Sequence, residues 1–351
     1  MSNAFTSLSK LGLRPFFQQQ LTLDELNDSR LVRVTGRHGD WLTLVGKNGQ
    51  SQLKLPGKWR LHAPDEQPLI GDWLVVNQND QPVRLLDRIS LLSRRASGHG
   101  QHAQHMAANI DTLFVVSSCN RDFNLSRIER YLALAHEGKV QPVVILTKAD
   151  LVDDPAFYRR ETENLHGGVV AVTMDARSQE VQHHLAPWIN PGETVAFLGS
   201  SGVGKSTLIN SLLEKETIPT QAARSQDNRG RHTTTARSMF QMAGGAWLID
   251  TPGMRELRLG ENKQGLQEVF GEIEELAKGC QYRDCDHEET SGCAVLAEVQ
   301  AGTVDARRLQ NYLKLQREQG YLKETVWQQR DRHRRFARMV NQAKKTKYGW
   351  R

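Results

Sequence analysis

Three stretches of this sequence carry residue types at spacings that can do chemistry. Gly199-Ser200-Ser201-Gly202-Val203-Gly204-Lys205-Ser206 is a G-x4-G-K-S phosphate loop, and Thr207 follows it into a helix. Its glycines let backbone N–H groups wrap phosphate oxygens, Lys205 reaches the β and γ oxygens, and the Ser206 hydroxyl is a magnesium ligand. Thr147-Lys148-Ala149-Asp150 suits the other end of a nucleotide. The Asp150 carboxylate can accept from guanine N1–H and the exocyclic amine, where adenine has no donor at N1, and Lys148 lies along the purine face. A buried acceptor of this kind discriminates because the wrong base leaves it unpaired. Thr173 and Met174, after Val172, stand where a last base-contacting loop belongs.

Asp250-Thr251-Pro252-Gly253 supplies an aspartate for the magnesium shell and a glycine N–H for the γ-phosphate. Between the phosphate loop and Asp250, residues 217–235 have the polar composition of a switch loop, and among Thr233, Thr234 and Thr235 the reading favours Thr234 as the one that closes on magnesium. Met254 follows Gly253, where a hydrolase of this kind often carries a water-orienting glutamine. A thioether cannot orient water, so Arg231 and His232 become the candidates for charge stabilisation and water positioning. The expected ligands are GTP or GDP with magnesium.

The order of these boxes is unusual. Guanine-nucleotide enzymes ordinarily run phosphate loop, switch threonine, D-x-x-G, then base box; here the base box comes about fifty residues before the phosphate loop. The chain reads as a circular permutation of that order.

The third stretch, Cys280-x4-Cys285-x-His287-x5-Cys293, gathers three thiols and an imidazole. Such a set suits tetrahedral zinc, and four protein ligands leave no open position, so the metal is expected to be a single structural zinc. Cys119 falls near a strand end, away from this group. Disulfides are not expected in a cytosolic chain, which this one is expected to be.

The elements that must position these residues follow from hydrophobic periodicity. Short apolar runs at 31–34, 41–45, 52–55 and 73–76, separated by Gly36, Gly39, Asn48-Gly49, Pro56-Gly57 and Gly71-Asp72, predict a small oligonucleotide-binding (OB-type) β-barrel over residues 30–92, after an N-terminal extension at 1–29. Trp41, Trp59 and Trp73, with Lys47, Lys54, Lys58 and Arg60, are candidates to stack on and neutralise RNA, although most of these tryptophans fit core positions better. Residues 93–108, polar and rich in histidine, read as a linker; Gly98 and Gly100 argue against a helical metal site built from His99, His102 and His105.

From Asn109 to about residue 270, strands at 112–116, 143–146, 169–172, 194–198 and 246–249 alternate with helices such as 126–136. This predicts a doubly wound α/β domain in which each box leaves the carboxyl end of a strand. Residues 271–351 are then a mostly helical zinc-binding module with a basic C-terminal helix or tail. From Lys314 to Arg351 there are twelve Lys and Arg against three acids, a local +9 that leaves −3 for the remainder of a chain whose net charge is +6. Such a run attracts polyanions, RNA among them.

At 351 residues, 25% charged and 38% hydrophobic, the chain is expected to form two or three globular units. No apolar stretch approaches the roughly 18 residues of a membrane span, and the beginning lacks a signal-peptide run. A cytoplasmic protein with no membrane partner is expected.

Taken together, the barrel, the permuted boxes and the Cys/His module resemble the bacterial small-ribosomal-subunit-dependent GTPase A family, RsgA or YjeQ. Further matches are Gly71-Asp72, Asn109-Ile110-Asp111, the run Phe123-Asn124-Leu125-Ser126-Arg127-Ile128-Glu129-Arg130-Tyr131-Leu132 and Gly230-Arg231-His232-Thr233-Thr234-Thr235, so that the resemblance covers residues 30 to 320. It implies GTP hydrolysis that is slow alone and stimulated by the 30S subunit, a role in late small-subunit maturation, and contact of the barrel and zinc module with 16S rRNA by a monomeric protein. Departures are Thr147 in place of Asn, Thr173 in the last base loop, and a barrel run, Leu55-Pro56-Gly57-Lys58-Trp59-Arg60, that only partly follows the family's Arg-Gly pattern. With its hydroxyl in place of an amide, Thr147 is expected to position the base box less firmly. Two other readings stay open: an RNA-binding assembly factor or divergent paralogue with little hydrolysis, motivated by Met254, and a phosphate-loop ATPase or nucleotide kinase.

Overall fold

The fold is that of a computed structural model, which describes residues 7–63, 65–95, 103–165, 168–213, 237–250 and 264–323. Five strands run parallel at its centre, in the order β10 (Ala171–Thr173), β9 (Gln141–Thr147), β8 (Thr112–Ser118), β11 (Thr194–Gly199) and β13 (Trp247–Asp250). Every residue of β8 and β11 is buried, as parallel strands covered on both faces require.

Alternation along β8 sends side chains into two separate cores. Leu113 and Val115 join Val144, Leu146, Ala196, Leu198 and Ile249 under helices α1 (Leu125–Glu137) and α4 (Gln264–Ala277). Phe114 and Val116 join Val143, Ile145, Val195 and Phe197 over Leu208, Ile209 and Leu212 of α3 (Lys205–Leu213). Helix α2 (Pro155–Glu163) precedes β10. The doubly wound arrangement is therefore present, and all five strands point their carboxyl ends to one edge.

Beyond β13 the sheet continues antiparallel through β12 (Arg237–Gln241) into β1 (Ser29–His38). The latter is the organising strand of an N-terminal antiparallel set, completed by β2 (Trp41–Gly46), β3 (Gly49–Lys54), β4 (Trp73–Asn77) and β5 (Pro82–Leu85) in the order β3-β2-β1-β4-β5. A register shift between Val34 and Gly36 bends β1, and its two halves take different neighbours on the same edge. Ser29 to Arg33 pair with β4, whereas Gly36 and Arg37 pair with Ser238 and Arg237 of β12. The set encloses Val32, Val34, Leu42, Leu44, Leu53, Leu55, Trp59, Leu74 and Val76. No β3–β5 ladder closing a barrel is found among the described strand pairs.

Arg33, wholly buried on β1, joins three parts of the chain. Its guanidinium donates to Leu11 O at 2.5 Å and to Thr194 Oγ1 of β11 at 2.7 Å, and it lies 5.8 Å over the Trp73 ring. Burial holds its pKa down to about 10, which still leaves it a cation at neutral pH.

Two features differ from the sequence-based division. Residues 93–108 are not simply a linker: β6 (Leu91–Arg95) pairs antiparallel with β7 (Ala103–Ala108), and Met106, Ala107 and Ala108 are fully buried. The polar residues that suggest a connector surround a short apolar run that packs into the first core. Within this hairpin His105 Nδ1 lies 2.8 Å from Ser93 Oγ, while His99 and His102 lie outside the described residues. The boundary placed at residue 270 falls inside α4, at Phe270, where φ −121° and ψ 29° leave helical values. Phe270, Ile273, Val295, Leu309, Tyr312 and Leu315 belong to the same core as Leu113 and Leu132, so the C-terminal helices α5 (Ala294–Ala301) and α6 (Ala306–Lys323) are built onto the α/β domain. At Gly265 a Cβ would sit 2.2 Å from Ala133 O, which shows how closely α4 approaches α1.

Candidate nucleotide and metal sites

The phosphate loop leaves β11 at Gly199 and enters α3 at Lys205. Gly199 packs so tightly on β8 that a Cβ would stand 2.2 Å from Val116 O, and Gly204, at φ +95°, occupies the left-handed region. Lys205 Nζ folds back over the loop, donating to Gly199 O at 2.7 Å and to Ser200 O. Ser206 and Thr207 follow Lys205 in the first turn of the helix, whose amino terminus favours an anion. Ser201, Gly202 and Val203 complete the turn, Gly202 at φ +81°.

The base box meets this loop directly. Thr147 is fully buried at the end of β9, and its Oγ1 lies 2.6 Å from Val203 O and 3.1 Å from Ser117 O. Through these two contacts the Thr147 hydroxyl ties the base box to the phosphate loop and to the end of β8. Gly204 lies against the same side chain, its Cβ position 3.4 Å from Thr147 Oγ1, at ordinary contact distance. Lys148 follows in the left-handed region at φ +58°. Asp150, with a side chain 28% exposed, takes a 2.7 Å ion pair from Arg177 Nη2.

The loop after β10 is tied to the same box through its backbone. Met174 N–H donates to Leu146 O at 3.0 Å, and Ala149 N–H donates to Met174 O at 3.4 Å. Thr173 is the last residue of β10, and the Met174 side chain is buried in the second core, so Met174 braces the base box rather than presenting its thioether to a ligand. Arg177, three residues on, is the side chain at this edge that sequence reasoning missed. It also pairs with Asp175 at 3.2 Å, and no motif in the sequence singles it out.

Asp250 closes β13, next to β11, and its backbone pairs with Ser238. Arg231, His232, Thr233, Thr234, Thr235, Gly253 and Met254 lie outside the described residues.

Cys280, Cys285, His287 and Cys293 converge in the C-terminal module, their ligand atoms all within 4.8 Å of one another. Cys280 Sγ lies 3.6 Å from His287 Nδ1 and 3.9 Å from Cys293 Sγ, and His287 Nδ1 lies 3.3 Å from Cys293 Sγ. A tetrahedron with zinc–sulfur bonds of ~2.3 Å and zinc–nitrogen bonds of ~2.0 Å spaces its corners roughly 3.5–3.8 Å apart, so the set fits zinc. Cys293 also caps α5, its Sγ accepting from Leu296 N–H at 3.4 Å, which fixes that thiol to a helix start. Cys119, by contrast, is buried in the first core outside this set, and burial pushes its thiol up to about 11.

On the N-terminal strands the three tryptophans separate. Trp73 and Trp59 are core residues, while Trp41 is 48% exposed with Lys54 Nζ 6.0 Å from its ring centroid. Among the described residues no helix is long and apolar enough to cross a membrane.

A family model described as RsgA GTPase matches residues 85–260. An ABC transporter model matches residues 183–343, a span that contains the phosphate loop but leaves out the base box. A small ribosomal subunit biogenesis GTPase RsgA 2 of Vibrio parahaemolyticus is 45% identical over 333 residues, covering 95% of this chain and 91% of the relative. A small ribosomal subunit biogenesis GTPase RsgA of Mesorhizobium japonicum is 44% identical over 88% of this chain and 89% of its own. The crystal structure of YjeQ from Thermotoga maritima superposes with a TM-score of 0.61 at 23% identity, covering 85% of this chain and 100% of that one. The circularly permuted GTPase YloQ gives 0.58 at 19% identity, covering 86% and 98%.

Proposed function

Since the chain belongs to the RsgA GTPase family, we propose that it hydrolyses GTP to GDP and phosphate in the biogenesis of the small ribosomal subunit, and that the 30S particle is the partner that stimulates it. The observation that carries the nucleotide reading is the 2.6 Å approach of Thr147 Oγ1 to Val203 O, which joins a guanine box and a phosphate loop from distant parts of the chain into one surface. On this reading Asp150 selects guanine and Lys148 lies along the base. Residues 199–207 hold the phosphates. Magnesium would be held by Ser206, Asp250 and Thr234, and would neutralise charge developing on the transferred phosphoryl group. Arg231 and His232 stabilise charge and position water.

The zinc is structural, one ion held by Cys280, Cys285, His287 and Cys293, and serves to fix the C-terminal module. The protein acts as a cytoplasmic monomer that docks on 16S rRNA through the N-terminal strand set, read as an OB-type barrel, and the C-terminal module. Trp41, an exposed ring beside Lys54, offers a base-stacking platform.

Co-sedimentation with purified 30S subunits tests the docking. Binding should be stronger with a non-hydrolysable GTP analogue than with GDP, and should weaken steeply with salt as counterions are released. Trp41→Ala should weaken it roughly 5- to 150-fold, the loss of about 1–3 kcal/mol from one base stack. Equal binding in both nucleotide states would count against GTP-controlled docking.

A further inference from the structure

The first turn of α1 is shared between the phosphate loop and the C-terminal module. On one side, Arg127 Nη1 donates to Ser200 Oγ at 2.8 Å. On the other, α6 takes hold of the residues around it. Arg307 Nη1 donates to Glu129 Oε2 at 2.9 Å and to Ser126 Oγ at 3.2 Å, Arg308 Nη1 to Glu129 Oε1 at 2.8 Å, and Asn311 Nδ2 to Glu129 Oε2 at 2.6 Å. Arg130 makes a two-pronged pair with Glu318 at 2.9 and 2.8 Å.

Glu129 is completely buried, and a buried carboxylate is tolerated only while its partners stay in place. The turn and α6 therefore move together. Arg127 itself is anchored by its backbone, because Asn124 Oδ1, the helix cap, accepts from its N–H at 2.9 Å, while its side chain reaches out to the loop. Ser200 is thus gripped twice, at its carbonyl by Lys205 and at its hydroxyl by Arg127. Once Lys205 turns to the β and γ oxygens, Arg127 still holds the Ser200 hydroxyl.

From this juxtaposition we propose that Arg127 is a positioning residue for the phosphate loop, and that α6, acting through Glu129, sets where it stands. Docking that shifts the C-terminal module then changes nucleotide affinity through α1, whose Glu129 is held by α6 and whose Arg127, two residues earlier on the same helix, holds Ser200. The inference rests on the GTPase reading above.

The test measures binding of a fluorescent GDP analogue to the full chain, with circular dichroism and zinc content as checks on folding. Arg127→Ala should raise Kd roughly tenfold, the loss of one charge-assisted hydrogen bond, and Arg127→Lys should recover part of it. Ser200→Ala should add little in the Arg127→Ala background. Glu129→Gln should weaken binding when Arg127 is present and have no further effect when it is absent. If Glu129→Gln does not fold, Arg130→Gln, which breaks only the partly exposed pair with Glu318, takes its place. Unchanged affinity in Arg127→Ala, additive effects of Arg127→Ala and Ser200→Ala, or an equal effect of Glu129→Gln in both backgrounds would overturn the proposal. Failure of the unaltered protein to bind the GDP analogue would instead overturn the GTPase reading itself.

Discussion

Lys205→Ala is expected to slow GTP hydrolysis by roughly a hundred- to a thousandfold, the usual cost of removing a preorganised group aimed at transition-state charge. The lysine stands at the first position of α3 and its ammonium lies within the loop, on the carbonyls of Gly199 and Ser200. No rearrangement of the scaffold is needed to bring it to a bound phosphate. Its removal frees the carbonyls of Gly199 and Ser200 but should leave the fold intact, because Gly199 against Val116 and Thr147 on Val203 still hold the loop to the sheet. Single-turnover hydrolysis with equilibrium nucleotide binding measures the effect. An enzyme of near-normal rate would mean that the loop does not hold the reacting phosphates.

Loss of the metal should be the second large effect, and it should fall on a different part of the molecule. Structural zinc contributes apparent binding energies of about 10–16 kcal/mol, comparable to or greater than the ~5–15 kcal/mol net stability of a domain. Cys285→Ala should therefore release zinc and open the loop between α4 and α5 to protease. Cys293 and Val295 belong to the first core and Cys280 and Cys285 pack against it, so α5 and part of α6 should loosen with it. The phosphate loop and base box stand on the central sheet, and nucleotide affinity should fall by no more than the roughly tenfold share assigned to Arg127. Elemental analysis and limited proteolysis check this. Full zinc content in the Cys285→Ala protein would refute the ligand assignment.

Much of this architecture is legible in the sequence because the informative residues are local. Four of the five central strands, β9, β10, β11 and β13, are short apolar runs that stop at a box, and burial on both faces makes runs such as β8 and β11 continuous rather than alternating. The phosphate loop and the Cys/His set are compact patterns whose chemistry fixes their spacing. The family relationship, read from those motifs, agrees with the matching family model and the relatives.

What the sequence hid is non-local. The pairing of β1 with β12 joins residues about two hundred positions apart and leaves no periodic trace in either strand. Glu129 reads as one more helix residue until α6 supplies Arg307, Arg308 and Asn311 around it. Thr147 carries a hydroxyl where the family pattern has an amide, and only the fold brings that hydroxyl to Val203 O of the phosphate loop. Of three tryptophans with similar settings, two are buried by strands paired across the set and only Trp41 remains exposed.

The permuted order of boxes suggests a route from the γ-phosphate to the metal module along the chain after Asp250. Residues 251–263 lie outside the described residues, but a second route is given by direct contacts through α1 and α6. A third element, β12, follows the switch segment in sequence and pairs with the N-terminal strand set. Both outer parts of the molecule thus meet the nucleotide domain at elements next to its boxes.

The most direct measurement is GTP turnover by the purified protein with and without 30S subunits. Hydrolysis should be slow alone and rise many-fold on addition of 30S particles, a rise abolished by Lys205→Ala. A folded, nucleotide-binding, zinc-loaded protein whose turnover is unchanged by 30S subunits would contradict it, and GTP-dependent docking without turnover would instead mark a nucleotide-switched assembly factor.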